Sequence, residues 1–435
     1  MNEFMSARGL QNRDITVYPR GGTMLCEPVA GEDYMEPDPT MLNLNLSIIE
    51  NAVRQRDAKG MRNRVKDIRI TEKIGTTYID SADDTPLTLS DTVRGVRRYL
   101  STHMHCKDAD PLVIYTGTDS LYKLAFAIAE GVAPEELGMS SVVLTASLRA
   151  PHEENTDAFY NPATAMLAAV SEEMRGRIGV AVGGLVLAPR GLVKVGDMPF
   201  QSDFSSRFTP MGYFGERSLG SKILPFTDSA MAYQVYGTQA DKPTGTEGLH
   251  FGMEEGVTSM DLEADTNYAA VGDIIRGNRA SHTKAMLLMA PGNGNIKQQE
   301  TQVLVDAALE AEKLGVPVVL SGQIIQHAKV ASPQELGLPV SMYPGNGEHI
   351  GAPIISAGEL TKGEAKNLLS ILLYQAHLWP GTGPEMVARI RAGFEQYKNQ
   401  YTRMELYALG GSGTGIGYGS SSSSSSGSGS EQIAS

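Results

Sequence analysis

Short apolar runs alternate with amphipathic stretches along most of this chain. Pro111 to Ile114 begin an apolar strand that runs into Thr116-Gly117-Thr118-Asp119, and the spacing predicts a helix from Ser120 to Glu130, stopped at Gly131. Ser141 to Ala146 reads as a second strand. Asn161-Pro162 has the form of an N-cap and first helical position, opening a helix to about Met174. Arg177 to Leu187 reads as a further strand. The pattern breaks between Asp203 and Glu255, which is rich in Gly, Ser, Thr and Pro. It resumes with a strand at Ala285 to Ala290, a helix from Lys297 to Leu314 closed by Gly315, and strands at Val316 to Leu320 and Ile354 to Ser356. Thr361-Lys362-Gly363-Glu364 is a capping box for a helix to about Gln375, and Pro384 opens a last helix ending near Tyr401. Apolar strands alternating with amphipathic helices predict an α/β fold whose parallel sheet is covered on both faces.

Composition narrows the function. Of 435 residues, 41% are hydrophobic and 20% charged, so a large core is available without staples. A formal net charge of −13 disfavours nucleic acid and anionic membrane surfaces as partners. The two cysteines, Cys26 and Cys106, form neither a disulfide framework nor a metal motif and fit a reducing compartment. There is no apolar run of signal-peptide or membrane-spanning length, so a cytoplasmic protein is expected.

Five short motifs carry candidate chemistry. Arg20-Gly21-Gly22-Thr23 follows the apolar-containing run Ile15 to Tyr18, and its glycines let the backbone approach a ligand with Thr23 at a strand end. By itself it is an ordinary turn. Ile79-Asp80-Ser81-Ala82-Asp83 lies in another strand-to-helix transition, where small polar residues often cap helices. Tyr115-Thr116-Gly117-Thr118-Asp119 supplies two hydroxyls and a carboxylate suited to a zwitterion, although Asp119 could simply cap the next helix. Lys194 follows an apolar strand and Pro189-Arg190-Gly191; such a lysine is solvated in a loop or, when buried, available as a base. Pro291-Gly292-Asn293-Gly294-Asn295 could present amides between a strand and a helix.

Together, in this order, the motifs resemble the bacterial-type L-asparaginase family. The matching elements are Gly21-Gly22-Thr23, Tyr34, Asp80-Ser81, Gly117-Thr118-Asp119, Lys194, the stretch Gly191 to Phe214, Gly292-Asn293-Gly294-Asn295, and Ser356-Ala357-Gly358-Glu359-Leu360. The resemblance implies a larger N-terminal domain over residues 1–220, a connection over 221–255, and a smaller C-terminal domain over 256–409. Each domain would hold a mostly parallel sheet flanked by helices. The Gly/Ser-rich tail, 410–435, is expected to be disordered.

The implied activity is hydrolysis of L-asparagine to L-aspartate and ammonia through a threonine nucleophile, without metal or organic cofactor. Thr23, Tyr34, Thr118, Asp119 and Lys194 would be catalytic. Ser81, Asp119, Asn295 and Glu348 would bind substrate, with Asn295 and Glu348 serving a neighbouring chain of a homodimer or homotetramer. The sequence departs from the family at Thr116 (usually histidine), at Leu148-Arg149-Ala150, at Thr156-Asp157-Ala158-Phe159, and at Ala82 beside Ser81. Three alternatives stand: a glutaminase on the same fold, an amidotransferase subunit deamidating glutamine for tRNA-dependent synthesis, and an inactive binding or structural protein that keeps the fold. Amidotransferase subunits carry an extra N-terminal domain, whereas Gly21 comes almost at once here.

Overall fold

A computed structural model describes residues 13–28, 35–37, 47–49, 51, 65–70, 74, 83–103, 110–153, 156–171, 174–194, 204–206, 212–213, 251–262, 266–277, 283–290, 301–322, 353–358, 360–378 and 381–410. The chain opens with β1 (Arg13–Pro19), β2 (Cys26–Pro28), β3 (Met35–Pro37) and β4 (Val65–Ile70). Then follow α1 (Pro86–His103), β5 (Leu112–Tyr115), α2 (Thr118–Gly131), α3 (Pro134–Leu137), β6 (Ser141–Thr145) and α4 (Tyr160–Ala169). After these come β7 (Arg177–Val182), β8 (Leu185–Leu187), β9 (Leu192–Lys194), β10 (Phe204–Ser206) and β11 (Gly212–Tyr213). The C-terminal part holds β12 (Val257–Asp261), α5 (Tyr268–Gly277), β13 (Ala285–Ala290), α6 (Thr301–Lys313), β14 (Val318–Gly322), β15 (Ile354–Ser356), α7 (Lys362–His377) and α8 (Gly383–Gly410).

Two main sheets result, as the alternation of apolar strands and helices predicts. The larger has the order β11-β8-β7-β6-β5-β1-β4, and the smaller β12-β13-β14-β15. The smaller is parallel throughout, and the larger is parallel from β4 to β7. β5, β6, β13 and β14 are buried at every position, because helices cover both faces. Each buried Leu, Ile or Val side chain contributes roughly 1.5–3 kcal/mol. On β13, Leu287 and Met289 face the core shared with the large sheet, while Met286 and Leu288 face a second core with α5 and α6. Residues of α7 and α8, among them Leu369 and Phe394, belong to the shared core and join the two sheets.

Several boundaries differ from the sequence expectation. Arg177 to Leu187 is not one strand but an antiparallel hairpin, β7 to β8, turning at Gly183 and Gly184 with φ of 54° and 76°. Two adjacent left-handed glycines form the tight turn that a continuous apolar run conceals. Asn161 is not an N-cap. It lies inside α4, and its buried amide donates to the Ala146 carbonyl (2.9 Å) and to Asp157 (2.9 Å) while accepting from Gly183 N–H (2.9 Å). That helix ends at Ala169 rather than near Met174, and α8 runs to Gly410, beyond Tyr401. The strand expected at Val316 to Leu320 is β14, starting at Val318. The capping box of α7 is as expected: Glu364 N–H donates to Thr361 Oγ1 (3.2 Å), and Thr361 N–H donates to Glu364 (3.0 Å). No helix among the described residues is long and apolar enough to cross a membrane.

Candidate active site

Sheet order places the candidate chemistry. From β1 the chain passes to β4 on one side and then to β5 on the other, so the strand order reverses at β1/β5. In open α/β sheets the crevice for ligands lies beyond the carboxyl ends of the strands at such a reversal. Register makes this local: Pro19 pairs with Tyr115, so the segments beginning at Arg20 and Thr116 leave the sheet side by side. The Arg20 N–H donates to the Tyr115 carbonyl (2.9 Å), and the Thr116 N–H to that of Thr145 (3.0 Å).

The two motifs touch through glycine. Gly22 has a φ of 97°, and a Cβ there would stand 2.5 Å from the Thr116 carbonyl oxygen and 2.6 Å from the Gly117 nitrogen. No side chain fits, which explains the residue type. Thr23 follows at once, in a single 3-10 turn (Thr23–Leu25) closed by Leu25 N–H donating to the Gly22 carbonyl (2.9 Å). Thr23 is half-buried.

Thr118 opens α2 and is 8% exposed. Gly117 occupies the N-cap with no side-chain cap bond, so Asp119 does not cap this helix. Instead Asp119 sits in the first turn, where a carboxylate is favoured by the helix dipole. Lys194, the last residue of β9, reaches both. Its Nζ donates to Thr118 Oγ1 (3.2 Å) and to Asp119 Oδ1 (3.1 Å). The sequence alone left open whether Lys194 was a loop lysine; it is the strand-end partner of both residues.

Elements remote in sequence fix Lys194. The Gly191 N–H donates to the buried Glu364 carboxylate (2.6 Å), which also caps α7. Arg190 is fully buried and donates to Glu130 Oε1 (2.7 Å) and the Ala129 carbonyl (3.0 Å), while Tyr397 of α8 donates to the same Glu130 oxygen (2.9 Å). The C-terminal helices thus hold the segment that carries the lysine.

Sequence reasoning missed a second buried cluster. Arg20, 1% exposed, donates through Nη1 to Asp84 Oδ2 (2.6 Å) and Thr116 Oγ1 (3.3 Å), and through Nε to Thr92 Oγ1 (2.9 Å). Its Nη2 also pairs with Asp84, whose side chain is wholly buried. Burial pushes the Asp84 carboxyl up, but bonds from Arg20, the Arg20 charge, and bonds from Ser120 and Thr88 outweigh it and hold it below its ordinary value. One ion pair thereby ties β1, the start of α2 and the start of α1. Thr116 serves as an acceptor within it. On the other side of β5, Asp157 accepts from Ser147 Oγ (2.7 Å) and from the N–H groups of Leu148 (3.1 Å) and Arg149 (3.1 Å), which orders the segment after β6.

Thr118, Asp119 and Lys194 are therefore brought together, and the segment carrying Thr23 packs against the one carrying Thr118. Tyr34, Ser81, Asn295 and Glu348 lie outside the described residues, as do Asp80 and Ala82. Among the described residues no cluster of three or more His, Cys, Asp or Glu could hold a metal ion.

A family profile described as "Asparaginase, N-terminal" matches residues 15–222. No curated protein matches the sequence. Among solved structures, a probable cytoplasmic L-asparaginase from Campylobacter jejuni shares the fold, with a TM-score of 0.57, 18% identity, and coverage of 87% of this chain and 99% of that one. The thermostable L-asparaginase from Thermococcus kodakarensis gives a TM-score of 0.56 and 18% identity, covering 87% and 96%. At that identity the likeness shows the fold alone. The profile match spans Thr23, Thr118, Asp119 and Lys194, so residues 15–222 are similar to the N-terminal domain of the asparaginase family.

Proposed function

We propose that the chain is an amidohydrolase that releases ammonia from the side-chain amide of a small amino acid, with L-asparagine preferred. The observation that carries this reading is the contact of Lys194 Nζ with Thr118 Oγ1 at 3.2 Å and Asp119 Oδ1 at 3.1 Å, beside the turn that carries Thr23. A hydroxyl is a weak nucleophile until a base takes its proton. Thr23 attacks the amide carbon, the C–N bond breaks, and ammonia leaves with the transferred proton. In the second step Lys194 and Thr118 polarise a water that cleaves the ester on Thr23, releasing the acid and restoring the hydroxyl. Asp119, with its side chain 57% exposed, remains open to the α-ammonium of a substrate. Backbone N–H groups at Thr23 and Thr118 are the oxyanion donors of this scheme. Ser81 holds the α-carboxylate, and Tyr34 closes over the substrate.

Preference follows from fixing both ends. With the α-groups held by Ser81 and Asp119 and the amide carbon placed at Thr23, glutamine is one methylene too long. That difference is worth about 10–200-fold in kcat/KM. Ammonia release from asparagine and glutamine, measured side by side on purified protein, tests it. A ratio near one, or one favouring glutamine, overturns the preference, and no release from either overturns the activity.

The assembly belongs to the same proposal: a homodimer or homotetramer in which Asn295 and Glu348 complete a neighbour's site. Mixing inactive Thr23→Ala subunits with inactive Asn295→Ala subunits is then expected to restore part of the activity. Mixed oligomers with no recovered turnover would count against shared sites.

A further inference from the structure

The cavity that Asp119 and Lys194 line does not end with them. It has a volume of about 680 Å³ and is lined by residues of both sheets and by α2 and the start of α7, which contribute Lys123, Lys362 and Lys366. Small-molecule pockets of roughly 300–1,000 Å³ take whole ligands of some size. A free amino acid occupies only a small part of this one.

The charges that line it are unequally paired. Asp84 is matched by Arg20 and Asp119 by Lys194. Lys362 stands 3.7 Å from Asp261 with both side chains more than half exposed, a separation and setting that give weak pairing. Lys123 and Lys366 have no carboxylate partner among the described residues. The Lys123 ammonium lies 5.6 Å from the centre of the Tyr122 ring, a contact that does not cancel a charge. Burial first, then the charges of Lys123 and Lys362, push the Lys366 ammonium below its ordinary range, so the three lysines act on one another. The amino end of α7, capped by Thr361, adds its positive dipole at the same wall. In a chain of net charge −13 this is a local reversal of sign. Like charges gathered in a cavity repel until an anion joins them.

We propose that Lys123, Lys362 and Lys366 form an anion subsite in the cavity that Asp119 and Lys194 also line, which takes a phosphate or carboxylate group of a ligand larger than a free amino acid. The amidohydrolase reading enters only in the rest of that ligand, namely an amide-bearing head directed toward Asp119 and Lys194. Anion binding itself stands on the cavity and its lysines.

The test is calorimetric titration of the full chain with inorganic pyrophosphate and, separately, with tricarballylate. The double variant K123M/K366M keeps most of the side-chain volume and removes two charges from positions outside the catalytic cluster. At least one probe is expected to bind at one equivalent, weaken as salt is added, and bind about tenfold or more weakly to the double variant. The tighter probe identifies the anion as phosphate or carboxylate. Hydrolysis of free asparagine is expected to be unchanged in that variant. Absence of binding by both probes to the wild-type chain, or equal binding by the double variant, overturns the subsite. If asparagine is not hydrolysed while a probe binds in a lysine-dependent way, the subsite stands and the activity assignment falls.

Discussion

Replacing Lys194 by methionine is expected to lower kcat about 100- to 10,000-fold, the range associated with loss of a positioned proton-transfer group, and to leave the fold intact. Lys194 ends a three-residue strand, its side chain is 25% exposed, and its ammonium bonds to Thr118 and Asp119. Methionine keeps the apolar stem and removes the charge. Because the lost contact is to the hydroxyl that works on water, the defect belongs in kcat rather than in KM. Thr118→Val is expected to match it, since it deletes the other half of the same contact. The double variant is then expected to be little worse than either single one. A variant that only raises KM would make Lys194 a binding residue and remove it from the chemistry. In the two-step scheme, Thr118→Val also leaves the acyl group on Thr23, where hydroxylamine traps it.

What was legible in the sequence depended on how local each cause is. β13 and β15 were readable to the residue, because short apolar runs between turn residues have few other uses. The capping box of α7 was readable because Thr361 and Glu364 are three apart. The hairpin at Gly183-Gly184 was not, because the apolar run continues through the turn and the reversal rests on two φ angles. Asn161 was misread as a cap because its partners, Ala146, Asp157 and Gly183, are assembled only by the sheet. Motif order identified Lys194, but no local signal placed its ammonium on a threonine 76 residues earlier. Arg20 was passed over because it adjoins a glycine turn, where arginine is usually solvated. The available signal was its place at the end of a strand bound for the core, where a guanidinium must find a carboxylate.

That pair is where the largest stability change is expected. Asp84→Asn leaves the Arg20 charge buried without its counter-charge, and Arg20→Met leaves Asp84 in the same position. Breaking a buried pair from one side costs about 3–5 kcal/mol, whereas replacing both members with apolar residues is often close to neutral. Each single variant is therefore expected to unfold at markedly lower denaturant, and R20M/D84M to recover most of the loss. Turnover separates structure from positioning. Arg20 precedes the Gly21-Gly22-Thr23 turn and bonds Thr116, so the double variant regains stability with kcat still depressed. The pH dependence has a definite sign. The folded-state Asp84 pKa lies below its ordinary value of 3.8. The unfolded chain thus binds the proton first as pH falls, and the pair's contribution is full above that value and lost as pH falls through the depressed one. Chemical denaturation at about pH 7 and again in the acid range is expected to show wild type losing stability faster than Asp84→Asn, which carries no titrating carboxyl there. Equal acid slopes for the two, or a cost under about 1 kcal/mol for either single variant, would place this ion pair among the many that contribute little to stability.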